Sequence, residues 1–337
     1  MESFDLNHPM PLRVLLLGAS GTMGIATARA LVDRGYHVTS VVRPPSVNST
    51  LKIAALQKQL SGTEIRWCDA SDATALRRDG FATDSFDAVI SCMASRTGVP
   101  KDAWLVDYEA HSKALQIAKE CGVTHFVLLS AICVQKPLLE FQHAKLAFEQ
   151  ELIASGLTYS IVRPTAFFKS LSGQIQRVKA GKPFLIFGDG KHTACKPISD
   201  HDLGDFLASC LEDASRHNRI LPIGGPGPAI TPYEQGAYLF QLLGKTPRFK
   251  SVPLGMLSFL AKVLGGVGKI IPSLATKAEL ARIGHYYASE SMLLWDFEKQ
   301  RYDADATPSY GSQTLFDAYK QWVKEESIPE RGDHAVF

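Results

Sequence analysis

The chain carries almost no net charge. Its 36 basic and 34 acidic residues leave a formal +2, so there is no electrostatic footprint for a nucleic-acid partner. It is also poor in cysteine. The six present (Cys68, Cys92, Cys121, Cys133, Cys195, Cys210) form no C-x-x-C pair and no metal-ligand spacing. Buried free thiols and a reducing compartment are therefore expected, with no metal. A long unbroken apolar run is missing too. The longest, Val252 to Ala275, is interrupted by Pro253, Lys262, Lys269, Pro272 and several glycines. It falls short of a membrane-spanning helix and leaves room for peripheral membrane contact at most. The first ten residues hold neither the apolar centre of a secretory signal nor an Arg- and Ser-rich transit pattern. A cytoplasmic location is expected.

What is present reads as an ordinary soluble protein, 45% hydrophobic and 21% charged. Its 337 residues suffice for one large α/β domain, or one domain with a lobe. The organising stretch is Arg13 to Pro44. An apolar run, Val14 to Leu17, predicts a strand. Gly18, Gly21 and Gly24 follow in a turn that also holds Ser20, Thr22 and Met23. A helical pattern then runs from Ile25 to Arg34, and a second strand from His37 to Val42. Strand, glycine turn, helix and strand in that order predict a dinucleotide site. Glycine lets the backbone approach a pyrophosphate, and the helix N-terminus offers N–H groups to it. Between Tyr36 and Leu51 there is no Asp or Glu to take a ribose 2′-hydroxyl, and the second strand ends in Arg43. A guanidinium there suits a 2′-phosphate, so the expected cofactor is NADPH.

Strand and helix patterns go on alternating. Strands are expected at Glu64 to Cys68, Phe86 to Ser91, Thr124 to Leu129 and Thr158 to Val162. Helices are expected at Leu51 to Leu60, Asp102 to Cys121 and Leu138 to Ala154. Short links between them predict a doubly wound parallel sheet of the Rossmann type. Ligands in such sheets lie over the strand C-terminal ends. Those ends carry Asp69 near the adenine (or as a helix cap with Asp72), Cys92 and Ala94 in a small-residue loop, and Pro164 with Thr165. Residues 11–165 are expected to form the cofactor core. Residues 166–330, mostly helical beyond Thr231, are expected to form a smaller substrate lobe partly interleaved with it.

The pattern resembles the extended or atypical branch of the short-chain dehydrogenase/reductases. Members carry a serine at the end of the fifth strand and Tyr-x-x-x-Lys on the next helix. Ser130 and Lys145 match, and the resemblance implies catalytic roles for both, with Lys145 also on the nicotinamide ribose. Phe141 stands where the tyrosine should be. It has no hydroxyl to protonate a reduced carbonyl oxygen. Reduction of a conjugated C=C bond is the better fit. His143, His192, Cys195, Tyr286, Tyr287 and water are the candidate proton donors.

Longer runs carry a narrower resemblance. Leu128 to Glu149, Tyr159 to Gln174, Phe187 to Ser199, Leu221 to Gly227 and Tyr302 to Gly311 are similar to the divinyl chlorophyllide 8-vinyl reductases. The resemblance runs from about Arg13 to about Val323. It implies NADPH-dependent reduction of the C8 vinyl group of divinyl chlorophyllide a, or its protochlorophyllide, to ethyl. Plant members carry a transit peptide, so a bacterial member or a mature-length chain is expected. A flat chlorin needs a wide apolar slot. Phe167, Phe168, Tyr286 and the Met256 to Ile271 segment could line it, and Lys169 or Lys196 could meet its propionate. The residues also leave open an isoflavone-reductase-like enzyme, and an NmrA-type sensor that binds NADP without catalysis.

Overall fold

The computed structural model describes residues 12–45, 50–268 and 272–325. Its centre is a seven-stranded sheet built from β1 (Arg13–Leu17), β2 (His37–Val42), β3 (Glu64–Trp67), β4 (Ala88–Ser91), β5 (His125–Leu129), β6 (Thr158–Pro164) and β8 (Arg219–Ile223). The order is β3-β2-β1-β4-β5-β6-β8, and every neighbouring pair is parallel. Strand order reverses between β1 and β4, which opens a crevice at their C-terminal ends.

Burial on both faces explains the near-continuous apolar strands. In β1, Val14 and Leu16 point into one core layer with Leu31, Leu203 and Leu207. Leu15 and Leu17 point into the other, with Phe81, Phe126 and Phe148. All four are fully buried, each contributing roughly 1.5–3 kcal/mol by area.

Segments on both sides of residue 165 build this sheet. β8 pairs with β6 at the edge. The helix Asp200–Ser209 packs on the first helix, Thr22–Asp33, at a close approach: a Cβ on Gly204 would lie 2.7 Å from the Ala26 backbone. A smaller core lies beyond. It joins the parallel pair β7 (Phe184–Phe187) and β9 (Phe249–Val252) to the helices Pro232–Leu242 and Leu315–Lys324. Two further helices, Leu254–Gly268 and Pro272–Ser289, and a hairpin of β10 (Leu294–Asp296) and β11 (Arg301–Asp303) follow, the second helix packing Ile283 and Tyr286 into a separate cluster with Phe141.

After β11 the chain runs back over the sheet. Gly224 donates to the Pro308 carbonyl at 2.8 Å, and Tyr310 donates to Gly224 at 2.9 Å. The N–H groups of Ser312 and Gln313 both reach Asp202 Oδ2 at 3.3 Å. The Tyr310 hydroxyl donates to Asp205, which also pairs with Arg34 at 2.7 Å.

One expected helix is broken. The pattern from Asp102 to Cys121 predicts a single α-helix, but the chain runs as Pro100–Ala103, a π-helical stretch Trp104–Ala110, and His111–Glu120. The widened turn re-aims the side chains it carries, and one of these is the buried Asp107.

Candidate functional site

The glycine turn is shaped as a phosphate cradle. Gly18 has φ +73°, and a Cβ there would sit 2.7 Å from the Cys92 and Met93 backbone. A Cβ on Gly24 would sit 2.2 Å from the Gly18 carbonyl oxygen, where the helix start presses onto the strand end. Gly21 has room, its nearest neighbour at 3.5 Å. It stands at the helix N-cap with no side-chain cap, and no acidic residue lies in the first turn. The N–H groups of Thr22, Met23 and Gly24 therefore keep the orphan character of a helix start. Ser20 and Gly21 are exposed at the mouth. Lys169, from the turn Phe168–Leu171, extends its ammonium to within 2.9 Å of Thr22 Oγ1. Close backbone, free donors, a helix dipole and a cation all fit a dinucleotide pyrophosphate.

At the neighbouring strand ends, exposed Arg43 faces half-buried Asp69, Nε to Oδ2 3.4 Å. Partial burial works against the Asp69 carboxylate. Hydrogen bonds from the Ser71 hydroxyl and N–H, with the Arg43 charge, nevertheless hold it below the usual range. Asp72, not Asp69, caps the short helix that follows, accepting from Thr74 and Ala75. Cys92 is a packing group under the cradle. Its sulfur is 3.6 Å from Thr27 Oγ1, and burial pushes the thiol up to about 12. Ala94 lies exposed in the loop beyond it.

Lys145 projects from the helix Glu140–Ile153 to Asp107, Nζ to Oδ1 2.9 Å. The Asp107 side chain is 0% exposed and that of Lys145 12%. Asp107 also accepts from the Ser95 N–H at 3.1 Å and the Ser95 hydroxyl at 2.6 Å. The π-helical turn, the loop after β4 and the Lys145 helix thus converge on one carboxylate. One turn along, His111 Nδ1 meets the Val106 carbonyl and Nε2 meets Ser91 Oγ at 2.9 Å. Burial first, then the Lys145 charge, lowers His111 to about 4, so the ring is neutral.

Several residues expected at the site are engaged elsewhere. The Ser130 hydroxyl donates to Glu149 Oε1 at 2.5 Å, and Glu149 is fully buried and paired with Arg163. Thr165 donates to the Lys196 carbonyl. Pro164 is buried in β6. Lys196 does not face a substrate slot, because its ammonium is spent on the Thr307 carbonyl at 3.0 Å and Ser309 Oγ at 3.2 Å. Phe168 is 2% exposed, inside the small core with Ile175, Val178 and Phe184. Phe167 is only partly buried. Tyr286 is buried, its hydroxyl donating to the Cys133 and Lys136 carbonyls at 2.9 and 3.2 Å. Cys195 is buried, and burial pushes its thiol up to about 12. His143 and His192 are exposed. Of the Met256 to Ile271 segment, residues 269–271 lie outside the described residues.

Phe141 is buried in an apolar cluster with Ala103, Cys133, Ala144 and Ile283. Ile283 comes from the helix Pro272–Ser289, which lies over the place where a phenol would be expected. Four residues on, on the same helical face, Tyr287 brings its hydroxyl to 4.0 Å from Cys133 Sγ. Burial, with the Cys133 thiol beside it, pushes the Tyr287 phenol well above its ordinary value.

Residues 18–214 match the NAD(P)H-binding family. Divinyl chlorophyllide a 8-vinyl-reductase of Cucumis sativus is 47% identical over 344 aligned residues, covering 100% of this chain and 82% of that protein. Its counterpart in Arabidopsis thaliana is 46% identical over 96% of this chain and 79% of its own length. The fold is shared with an NADPH-dependent quinone oxidoreductase of Escherichia coli solved with NADPH, at TM-score 0.65, 18% identity, 93% of this chain and 100% of that one.

Proposed function

The chain belongs to the divinyl chlorophyllide a 8-vinyl-reductase family, and from that premise we propose that it reduces the C8 vinyl group of divinyl chlorophyllide a, or its protochlorophyllide, to ethyl with NADPH. The observation that carries this reading is 47% identity, over the whole of this chain, to reductases of that name. Phe141 agrees with it from the chemistry, because its ring cannot serve a carbonyl reduction.

The cradle of Gly18 to Gly24 would hold the pyrophosphate, with Lys169 as its cation and Arg43 on the 2′-phosphate. Lys169 is thereby assigned to the cofactor rather than to a propionate. Lys145, held by Asp107, would orient the nicotinamide ribose. Bound there, NADPH supplies the hydride that enters the vinyl group. A proton must complete the ethyl, and Tyr287 Oη is the group assigned to give it. Like any phenol it is protonated at neutral pH, and it packs against the Phe141 cluster. The hydroxyl of its neighbour Tyr286 is already held by two carbonyls. Residues 12–165 with the Asp200–Ser209 helix and β8 serve as the cofactor core in this reading, and the remainder as the substrate lobe.

Purified protein with divinyl chlorophyllide a and NADPH, kept anaerobic, should shift the Soret band to the blue as conjugation shortens. Absence of a shift while NADPH binds would overturn the assignment in favour of a sensor. Tyr287→Phe should lower turnover by about 10²–10⁴-fold with NADPH affinity unchanged. Undiminished turnover would move the proton to water or another group.

A further inference from the structure

The helices Leu254–Gly268 and Pro272–Ser289 leave one apolar face uncovered. Met256, Phe259, Leu260 and Val263 are 50%, 69%, 43% and 46% exposed. Their spacing of i, i+3, i+4 and i+7 lines them up as a single stripe. Leu280 on the second helix is 37% exposed as well. Large apolar side chains that stay in water as a contiguous set mark an interaction surface.

The charge around the stripe identifies what would cover it. The charged side chains described on the two helices are Lys262, Lys277, Glu279 and Arg282; Glu279 is buried and paired with Arg282, so the charges this pair of helices exposes are basic. Lys262 and Lys277, on the two helices themselves, are exposed. A second copy of the chain meeting this face across a twofold axis would bring like charges together, which opposes association. A neutral apolar partner would leave the lysines without a role. An anionic lipid surface satisfies both parts at once, with apolar side chains at the acyl boundary and ammonium groups among the headgroups. No described helix is long and apolar enough to cross a membrane, so such a helix lies in the interface plane.

We propose that the exposed face of the Leu254–Gly268 and Pro272–Ser289 helices docks the protein on an anionic lipid bilayer. The docking rests on exposure and charge alone. Its use rests on the reductase reading. The second helix runs from this face to Ile283 and Tyr287, roughly 20 Å at 1.5 Å per residue from Leu274.

Flotation of the purified full chain with vesicles tests the docking. One set is phosphatidylcholine alone, and the other is phosphatidylcholine and phosphatidylglycerol in equal parts. The protein should float with the anionic vesicles and not with the neutral ones, and should be released by high salt. Phe259→Asp and the pair Lys262→Glu with Lys277→Glu should each reduce the bound fraction at least tenfold. NADPH affinity and the unfolding midpoint should stay unchanged, because these side chains are exposed and remote from the glycine turn. No flotation of the wild-type chain would overturn the proposal. So would equal flotation with both vesicle sets, or a concentration-dependent dimer that Phe259→Asp dissolves. None of these outcomes bears on the Soret shift, which tests the reductase reading separately.

Discussion

Replacing Asp107 by alanine would remove the one carboxylate on which three elements converge. The Lys145 ammonium, 12% exposed, would lose its 2.9 Å partner, and Ser95 would lose the acceptor for both its N–H and its hydroxyl. Ser95 is only partly buried and can turn to water, so its share of the loss is small. The ammonium cannot leave as readily. Breaking a buried pair from one side costs about 3–5 kcal/mol, and the residual exposure of Lys145 favours the lower end. Lys145→Met should cost a similar amount, because it strands a carboxylate that is 0% exposed. In the double variant neither charge remains, and its cost should fall well below the sum. Urea unfolding of the four proteins, followed by tryptophan fluorescence, closes the cycle. A coupling of about 2 kcal/mol is expected. Losses that add within about 0.5 kcal/mol would refute the reasoning, and the pair would then not be what holds the π-helical turn against the Lys145 helix.

Gly24→Ala should abolish NADPH binding or folding, since its Cβ would meet the Gly18 carbonyl oxygen at 2.2 Å, whereas Gly21→Ala, with 3.5 Å of room, should leave the unfolding midpoint in place; equal stabilities would refute the contrast. His111 and His125 are both lowered to about 4, His111 by burial and then the Lys145 charge, His125 by burial and then His217. Both are neutral in the fold, while the unfolded chain takes up protons below its ordinary pKa near 6.5. Their contribution, about 3 kcal/mol each, should be intact above that pH and be lost as pH falls toward 4, as denaturation midpoints across this window would record. Arg43→Ala should weaken NADPH by about tenfold to a hundredfold, as loss of a charged hydrogen-bonding partner does, and leave NADH nearly unchanged in a fluorescence titration. The partly exposed Arg43–Asp69 pair is worth at most about 1 kcal/mol, so a bound phosphate can compete for the guanidinium.

The stretch from β1 to β2 was legible because its signals are local. An apolar run, glycines at fixed offsets and a 3.6-residue period all act within thirty residues, and the observed β2 has the expected bounds of His37–Val42. The parallel, doubly wound sheet followed from alternation and short links. The side-chain partners were a different matter. Nothing near Asp107 in sequence indicates that it will meet Lys145, 38 residues on. An acidic residue in a long helical pattern reads as a solvated face, and the π-helical turn that buries it leaves no periodic trace. Ser130 was placed at the right strand end, but the pull on its hydroxyl comes from Glu149, itself anchored by Arg163. Lys169 and Lys196 look alike in sequence. Only the path of the chain sends one to the glycine turn and the other to the Thr307 carbonyl. Phe168 and Tyr286 have the composition of a pigment slot and the positions of core residues.

The return of the chain over the sheet sets an order of assembly during synthesis. Asp202 and Asp205 receive partners 110, 111 and 105 residues further along, and loops of that length close slowly. A growing chain can lay down β1 to β6 and its glycine turn long before Tyr310 exists. Until Tyr310, Ser312 and Gln313 are made, the acidic side chains at the start of the Asp200–Ser209 helix stand without those donors, and Gly224 lacks its neighbours on the returning strand. A segment translated late thus fastens the Asp200–Ser209 helix, which packs on the first helix. A chain cut short before Tyr310 would keep the dinucleotide turn yet lose the clasp between the Asp200–Ser209 helix and residues 310–313.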